Sequence, residues 1–261
     1  MSERSSYVPG TPNWVDLGTT DVDGAVSFYG ALFGWSATEP GPVDETGGYR
    51  MFTQAEKNIG GLMATQSPEQ PVAWLTYIAT EDADATTEKV VAAGGTVMVP
   101  PMDVMEIGRM AVYIDPTGAA IAVWQSKQFP GAGLVNEPVS LCWNELATRD
   151  AETSLAFYTA VFGWQSETRD VGPTTYTTFS VDGKPVGGMI EMTDQWPAEA
   201  PPHWMVYFAV DDVDASTARA AELGATVHVP AMDIPDVGRF SMVADPSGAH
   251  FSMLTLANGE M

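Results

Sequence analysis

Apolar and polar positions along the chain follow a short plan of one strand, one helix and three further strands. A strand-like run over residues 15–20 leads to Asp21, and behind it Val26, Tyr29 and Phe33 recur at helical spacing. A carboxylate at that place can accept the free N–H groups of a first helical turn, so Asp21 is the predicted N-cap. Three apolar runs of strand length follow, near residues 35–38, 49–53 and 59–64.

The next stretch of chain repeats this plan. A strand-like run over residues 75–80 leads to Asp82, and the helical pattern behind it stops at Gly94 and Gly95. An Asp-Pro-Thr-Gly sequence at residues 115–118 is typical of a hairpin turn. Strands are therefore predicted near residues 96–99, 109–114 and 119–125.

The second half of the chain is a copy of the first. Residues 14–21 (WVDLGTTD) match residues 143–150 (WNELATRD) at an offset of 143 − 14 = 129. The Phe-Gly-Trp triplet and the Asp-Pro-x-Gly turn both recur in the second half, in the same order. Ordered matches along the whole length indicate a duplicated domain. The predicted units are a first domain over residues 1–126, a turn-rich linker over 127–136 and a second domain over 137–261.

Composition and charge exclude several classes of function. The 261 residues include 34 acidic and 11 basic side chains, which give a formal net charge of −23. The electrostatic field of such a negatively charged protein opposes nucleic-acid binding and attraction to an anionic membrane. No apolar run approaches the ~18–20 residues of a membrane-spanning helix, and no signal peptide is recognisable at the N-terminus. The single cysteine, Cys142, excludes an internal disulfide. We expect a cytoplasmic protein.

Two motifs carry a resemblance to a known family. A helix that ends in Phe-Tyr-x-x-Leu-Phe-Gly-Trp, with an Asp-Pro-x-Gly turn before the last strand, resembles the vicinal oxygen chelate superfamily. That superfamily includes glyoxalase I, extradiol dioxygenases and bleomycin-resistance proteins. The nearest resemblance is to its tandem actinobacterial members, described as glyoxalase-like proteins or hydroxylases. It implies an α+β fold in which each domain is two βαβββ modules that form a U-shaped, partly open barrel around a cleft.

The resemblance also shows where metal ligands would stand. Family members that hold a metal use three strand positions, usually occupied by His, His and Glu. The corresponding residues here are Trp14, Leu75 and Ala122 in the first half, and Trp143, Met205 and Ser252 in the second. A divalent ion needs about three ligands drawn from His, Asp, Glu or Cys. We therefore predict no metal and no other cofactor, which disfavours metal-dependent glyoxalase and dioxygenase chemistry.

Strand alternation predicts the lining of each cleft. Residues two apart share a face, so Asp16 faces the cleft with Trp14, and Glu145 faces it with Trp143, while Cys142 lies behind. Aromatic rings around one carboxylate suit a flat, largely apolar ligand held by stacking. The predicted ligand-binding residues are Trp14, Asp16, Tyr77, Trp124, Trp143, Glu145, Tyr207, His250 and Ser252.

Each of these features also has a purely structural explanation. A tryptophan or tyrosine in an apolar strand can simply fill the core. An inward-facing carboxylate is costly unless it is paired, and Arg109 and Arg239 are candidate partners for Asp16 and Glu145. The sequence does not decide between structural pairing and ligand contact.

Three functions fit these observations. The first is metal-free binding of an aromatic or polyketide-like metabolite in a cleft. The second is a cofactor-independent or glyoxalase-like lyase or isomerase acting on a small carbonyl compound or secondary metabolite, in which Glu145 or Asp16 moves a proton and His250 assists. The third is a structural or interaction role, with filled clefts and function on the outer surface. The predicted partner is a small molecule, and four modules can pair within one chain, so a monomer or a homodimer is expected.

Overall fold

In the computed structural model, which describes residues 3–172 and 174–257, the first half forms one eight-stranded sheet with three helices. Its elements in chain order are β1 (Pro12–Thr19), α1 (Val22–Phe33), β2 (Ser36–Ala37), α2 (Val43–Thr46), β3 (Arg50–Gln54), β4 (Lys57–Ala64), β5 (Ala73–Ala79), α3 (Ala83–Ala92), β6 (Thr96–Val104), β7 (Gly108–Ile114) and β8 (Ala120–Ser126).

The second half repeats this arrangement with two helices. Its elements are β9 (Leu141–Thr148), α4 (Ala151–Phe162), β10 (Gln165–Asp170), β11 (Thr175–Val181), β12 (Lys184–Glu191), β13 (His203–Ala209), α5 (Val213–Glu222), β14 (Thr226–Ile234), β15 (Gly238–Ala244) and β16 (His250–Leu256). The predicted α+β fold of four βαβββ modules is confirmed. The sequence pattern missed the short helix α2, and β6 continues five residues beyond the predicted 99.

An aspartate begins each of the four long helices. The side chains of Asp21, Asp82, Asp150 and Asp212 each accept a hydrogen bond from the backbone N–H three residues further on, at 2.9–3.0 Å. These bonds satisfy donors that the helix itself leaves free. The N-cap predicted at Asp21 is thus confirmed, and the other three aspartates cap their helices in the same way.

The strand order places the two modules of one half side by side in a single sheet. The order is β2-β3-β4-β1-β5-β8-β7-β6 in the first half and β10-β11-β12-β9-β13-β16-β15-β14 in the second. The central strands of the two modules, β1 and β5, pair antiparallel, and so do β9 and β13. Within the described residues the end strands are not paired to each other, so each sheet stays open.

The hydrophobic cores lie between the two halves. Around α1, residues of the first module such as Tyr29 and Trp35 pack with Phe208 and Phe251 of the last module. Around α4, residues of the third module pack in the same way with the second module. Each core therefore combines two modules from different halves, although the sheets combine two modules of one half.

The two motifs that carry the family resemblance meet across this interface. The Tyr29 hydroxyl donates to Asp245 Oδ2 at 3.0 Å, and the Tyr158 hydroxyl donates to Asp115 Oδ2 at 2.8 Å. The other oxygen of Asp115 accepts from the backbone of its own Asp-Pro-x-Gly turn, at Gly118 N among others. One buried carboxylate thus fixes a hairpin turn and joins it to a helix of the other half.

Two further predictions concern the chain as a whole. No helix in the described part is both long enough and apolar enough to cross a membrane. The last strand of the first sheet ends at Ser126 and the first strand of the second begins at Leu141. The domain limits of 1–126 and 137–261 stay predictions.

Candidate functional site

The first cleft is the face of the first sheet that carries Trp14, Asp16, Tyr77, Ala122 and Trp124. Trp14 stands opposite Tyr77 across β1 and β5, and Tyr77 stands beside Ala122 across β5 and β8. Trp14, Tyr77 and Trp124 are buried, whereas Asp16 is half-buried. The structure therefore brings together the predicted residues of the first half.

Asp16 is held by three aromatic side chains. Its Oδ1 accepts from Trp14 Nε1 at 2.7 Å and from the Tyr49 hydroxyl, and the Tyr77 hydroxyl is a third donor. Trp14 Nε1 also lies 2.8 Å from the Tyr49 oxygen. Burial raises the pKa of Asp16, because a charged carboxylate is costly there, and the three donors oppose this only in part. The same carboxylate and burial raise the pKa of Tyr49 and Tyr77.

The second cleft is the equivalent face of the second sheet, with Trp143, Glu145, Tyr207, Ser252 and Leu254. Trp143 stands opposite Tyr207, and Tyr207 stands beside Ser252. Tyr207 donates to Glu145 Oε1 at 2.8 Å. Tyr207, Ser252 and Leu254 are buried, whereas Trp143 and Glu145 are half-buried.

Hydrogen bonds in the second cleft form a relay that ends at Glu145. Trp143 Nε1 donates to the Tyr176 oxygen at 2.9 Å, and Tyr176 in turn hydrogen-bonds Glu145. On the other side Ser252 hydrogen-bonds Tyr207, which donates to the same carboxylate. Burial raises the pKa of Glu145, and the tyrosine bonds lower it less. A carboxyl group whose pKa is raised in this way holds its proton more firmly than an exposed glutamate, which is the property of a candidate proton-transfer group.

Sequence reasoning missed two residues of these networks, Tyr49 and Tyr176. They lie on or beside β3 and β11, strands that the alternation argument did not use. Each phenol lies directly over a glycine of the next strand. A Cβ added to Gly61 would lie 1.8 Å from the Tyr49 oxygen, and a Cβ added to Gly188 would lie 2.0 Å from the Tyr176 oxygen. A signal was present, because both pairs repeat at one offset (176 − 49 = 127 and 188 − 61 = 127).

The prediction that Cys142 lies behind the second sheet is wrong. Pairing between β9 and β13 shifts by one residue there, because Tyr207 pairs with Trp143 but Phe208 pairs with Leu141. Cys142 is the extra residue of this bulge and packs with Tyr207 on the cleft side. Burial raises the pKa of its thiol far above the ordinary value, so the thiol stays protonated.

The arginines considered as partners of the cleft carboxylates lie elsewhere. Arg109 forms a two-pronged pair with Asp84 at 2.8 and 3.0 Å, and Arg239 forms one with Asp214 at 2.7 and 3.0 Å. Both pairs join a helix to a strand on the helix-covered face. That alternative is therefore wrong, because the side chains of Arg109 and Arg239 point away from the cleft face.

His250 lies at the end of the second cleft and is exposed. Its ring centroid is 4.6 Å from that of His228, which is also exposed. Partial burial and the neighbouring His228 and His203 lower the pKa of His250, so its imidazole is neutral at pH 7. The assignment of His250 as an assistant to Glu145 stays a prediction.

Comparison with known proteins identifies the family. The profile of the Glyoxalase/Bleomycin resistance protein/Dioxygenase superfamily matches residues 11–123 and again residues 140–253. The chain belongs to this superfamily. The resemblance inferred from the two motifs is thereby confirmed, and the two matches coincide with the two sheets.

Several superfamily members are similar along their whole length. "Putative glyoxylase CFP32" of Mycobacterium bovis is 45% identical over 259 residues, which cover 97% of this chain and 98% of the relative. "Anthracycline biosynthesis protein DauV" of Streptomyces sp. (strain C5) is 38% identical over 267 residues, covering 96% and 94%. The tandem arrangement is therefore shared by these actinobacterial relatives.

Solved structures of the superfamily share the fold at low identity. The Mn(II)-bound glyoxalase from Novosphingobium aromaticivorans has a TM-score of 0.67 at 17% identity, covering 95% of this chain and 82% of that one. The 2,3-dioxygenase LapB from Pseudomonas sp. KL28 has a TM-score of 0.68 at 15% identity, covering 95% and 93%. At such identities the likeness extends to the fold alone.

The superfamily's metal positions do not fit a metal in this chain. In the first cleft they hold Trp14, Leu75 and Ala122, which offer no ligand atom to a divalent ion. In the second cleft they hold Trp143, Met205 and Ser252, of which the neutral hydroxyl and the thioether are poor ligands for such an ion. Across residues 3–172 and 174–257, no group of three or more His, Cys, Asp or Glu side chains is arranged to hold a metal.

Proposed function

We propose that this superfamily member binds a small aromatic or polyketide-like metabolite in a cleft without a metal ion. The observation that carries the proposal is the exchange of the family's metal-ligand positions for a tryptophan ring beside a tyrosine-bound carboxylate. Trp143 and Glu145 are half-buried, so ring and carboxyl remain accessible to a ligand. A planar ligand gains stacking energy from the ring and a hydrogen bond from the carboxyl group.

The name of one relative agrees with this class of ligand. DauV is named as an anthracycline biosynthesis protein, and anthracyclines are planar polycyclic aromatic compounds. CFP32 carries the name of a glyoxylase, which keeps small carbonyl compounds among the candidates. Both kinds of ligand carry a carbonyl or hydroxyl oxygen that can hydrogen-bond to Glu145.

A titration of the full chain with 1,2-dihydroxyanthraquinone tests this proposal. We expect saturable binding by calorimetry, with quenching of tryptophan fluorescence, at the same affinity with and without EDTA. Binding that appears only after addition of Mn²⁺ would contradict the metal-free site. Absence of binding by this compound and by a panel of smaller aromatic metabolites would contradict the proposal as a whole.

The relay that ends at Glu145 favours a second candidate function, a cofactor-independent lyase or isomerase acting on a small carbonyl compound. A carboxyl group whose pKa is raised by burial can remove a proton next to a carbonyl group and return it to another atom. Glu145→Gln is expected to abolish such turnover while ligand affinity changes less than about tenfold. Turnover that survives this substitution would reject Glu145 as the proton carrier.

The architecture also supports a proposal about assembly. The four modules already form two shared cores within one chain, so a partner chain is not needed to complete them. We propose a monomer in the cytoplasm whose partner is a small molecule. Sedimentation of the purified protein, with a dimer as the contradicting result, tests the first part.

A further inference from the structure

The linker that follows β8 crosses the first cleft. The Phe129 N–H donates to Ile107 O at 3.1 Å, and the Phe129 carbonyl accepts from Trp124 Nε1 at 2.7 Å. Asn13 Nδ2 donates to the carbonyl of Pro130 at 3.1 Å. The segment is thus attached to β1, to the turn between β6 and β7, and to β8, so it runs across this part of the cleft.

The ring of Phe129 lies where an aromatic ligand would be expected. Its centroid is 4.9 Å from that of Trp14 at an interplanar angle of 89°, and 6.0 Å from that of Trp124 at 80°. These are edge-to-face contacts of the kind that aromatic pairs favour. Trp14 is only 4% exposed and Trp124 only 7%. The chain's own Phe129 ring therefore covers the Trp14 and Trp124 rings on the face of the first cleft.

In the described part of the second half, no aromatic ring packs against Trp143 as Phe129 packs against Trp14. The chain leaves β16 as it leaves β8, because Ala257 N donates to Val237 O at 3.0 Å just as Lys127 N donates to Ile107 O at 3.1 Å.

The aromatic surface of the second cleft is correspondingly accessible. Trp143 is half-buried, whereas its counterpart Trp14 is almost completely covered. Leu254 stands in the place of Trp124, which removes one ring from the cleft wall. Tyr207 and Phe240 extend the apolar wall next to it, with their centroids 6.5 Å apart.

We propose that the second cleft binds one planar aromatic ligand per chain, in the place relative to Trp143 that Phe129 takes relative to Trp14, and that the first cleft binds none. This inference rests on the proposed function. It adds which of the two clefts binds the ligand and how many molecules each chain binds. The ligand is a hydroxylated aromatic compound, because a carboxylate offers more acceptor positions than Tyr207 and Tyr176 use.

Calorimetry and native mass spectrometry with 1,2-dihydroxyanthraquinone test the inference on the full chain. We expect one bound molecule per wild-type chain. Trp143→Ala should weaken binding at least tenfold, Trp143→Phe only a few-fold, and the matched Trp14→Phe not at all. Phe129→Gly, which removes the ring that packs on Trp14 and Trp124, should raise the number of bound molecules to two. Phe129→Leu, which keeps an apolar side chain but no ring, is the second variant if Phe129→Gly does not fold.

The outcomes separate this inference from the proposed function. Two molecules per wild-type chain would overturn the inference and leave the proposed function standing. The same holds if Trp143→Ala keeps its affinity while Trp14→Phe loses it, or if folded Phe129 variants still bind one molecule. No binding of any aromatic compound by wild type would reject the proposed function itself.

Discussion

Asp16 and Glu145 occupy equivalent places in the two clefts and differ by one methylene group. The shorter Asp16 lies against its tryptophan and accepts directly from Trp14 Nε1. Beside the longer Glu145, the indole N–H of Trp143 donates to the Tyr176 oxygen instead. Both carboxyl groups are half-buried and have a raised pKa, so each cleft keeps one proton-exchanging group in an aromatic setting.

The raised pKa of Glu145 predicts a pH-dependent stability. The native state holds this proton more tightly than the unfolded chain, so the contribution of Glu145 to stability is fully present below the ordinary glutamate pKa and is lost as the pH rises through the native value. Glu145→Gln removes this titration, so its stability relative to wild type should increase between pH 4 and pH 8. Urea unfolding of both proteins across that range measures the difference.

The exposed change Glu167→Gln serves as the control for this experiment, since it alters the net charge equally. A stability difference between wild type and Glu145→Gln that does not vary with pH beyond the control would contradict the raised pKa.

The contact between Gly188 and Tyr176 predicts a coupled pair of substitutions. Gly188→Ala places a methyl group against the phenol oxygen of Tyr176. The phenol must then leave its place between Trp143 and Glu145. We expect a loss of about 1–3 kcal/mol in the free energy of unfolding. In a chain that already carries Tyr176→Ala, the same change should cost much less. Urea unfolding of the four proteins measures this coupling, and strictly additive losses would contradict it.

At the scale of helices, the same aspartate N-cap recurs at the start of all four long helices. Asp212 accepts from Ala215 N at 2.9 Å and begins α5. Asp212→Ala should cost about 1 kcal/mol in the free energy of unfolding, because it frees a donor of the first turn. Asp212→Asn keeps a capping oxygen and should cost a few tenths. Equal losses for the two variants in thermal unfolding would show that the cap contributes little.

These caps also show which features the sequence could predict. Helix starts, Asp-Pro-x-Gly turns and the side-chain alternation of β1, β5 and β8 depend on neighbours in the chain, so the residue pattern predicts them. The bulge at Cys142 depends on how β9 pairs with β13, and the position of Phe129 depends on contacts with Trp14 and Trp124. Such long-range contacts are absent from any local pattern. The candidate site was therefore predicted in its main residues and missed in Tyr49 and Tyr176.

At the scale of the whole molecule, the covalent halves and the packed units do not coincide. Each sheet belongs to one half, whereas each core is shared between halves. Thr76 and Asn144 add a buried hydrogen bond of 2.8 Å between β5 and β9. Trp35 donates to Val139 O at 2.8 Å, which joins a helix end of the first half to the start of the second. Neither half has a complete core of its own.

This sharing predicts that the chain unfolds as one unit. Calorimetric unfolding of the full chain should show a single transition whose calorimetric enthalpy equals its van't Hoff enthalpy. Tyr158→Phe removes the hydroxyl that joins Trp204 to Asp115 across the interface and leaves both groups buried without that partner. It should cost about 1–3 kcal/mol and shift the one transition to lower temperature without splitting it.

Tyr29→Phe provides the matched variant, because it removes the equivalent bond to Asp245 from the other core. If each core held together only one half, each substitution would lower the melting temperature of one domain and leave a second transition unchanged. Two resolved transitions in either variant would therefore show that the halves are independent domains. A single shifted transition in both variants would show that the interface, rather than either sheet, determines the stability of the clefts.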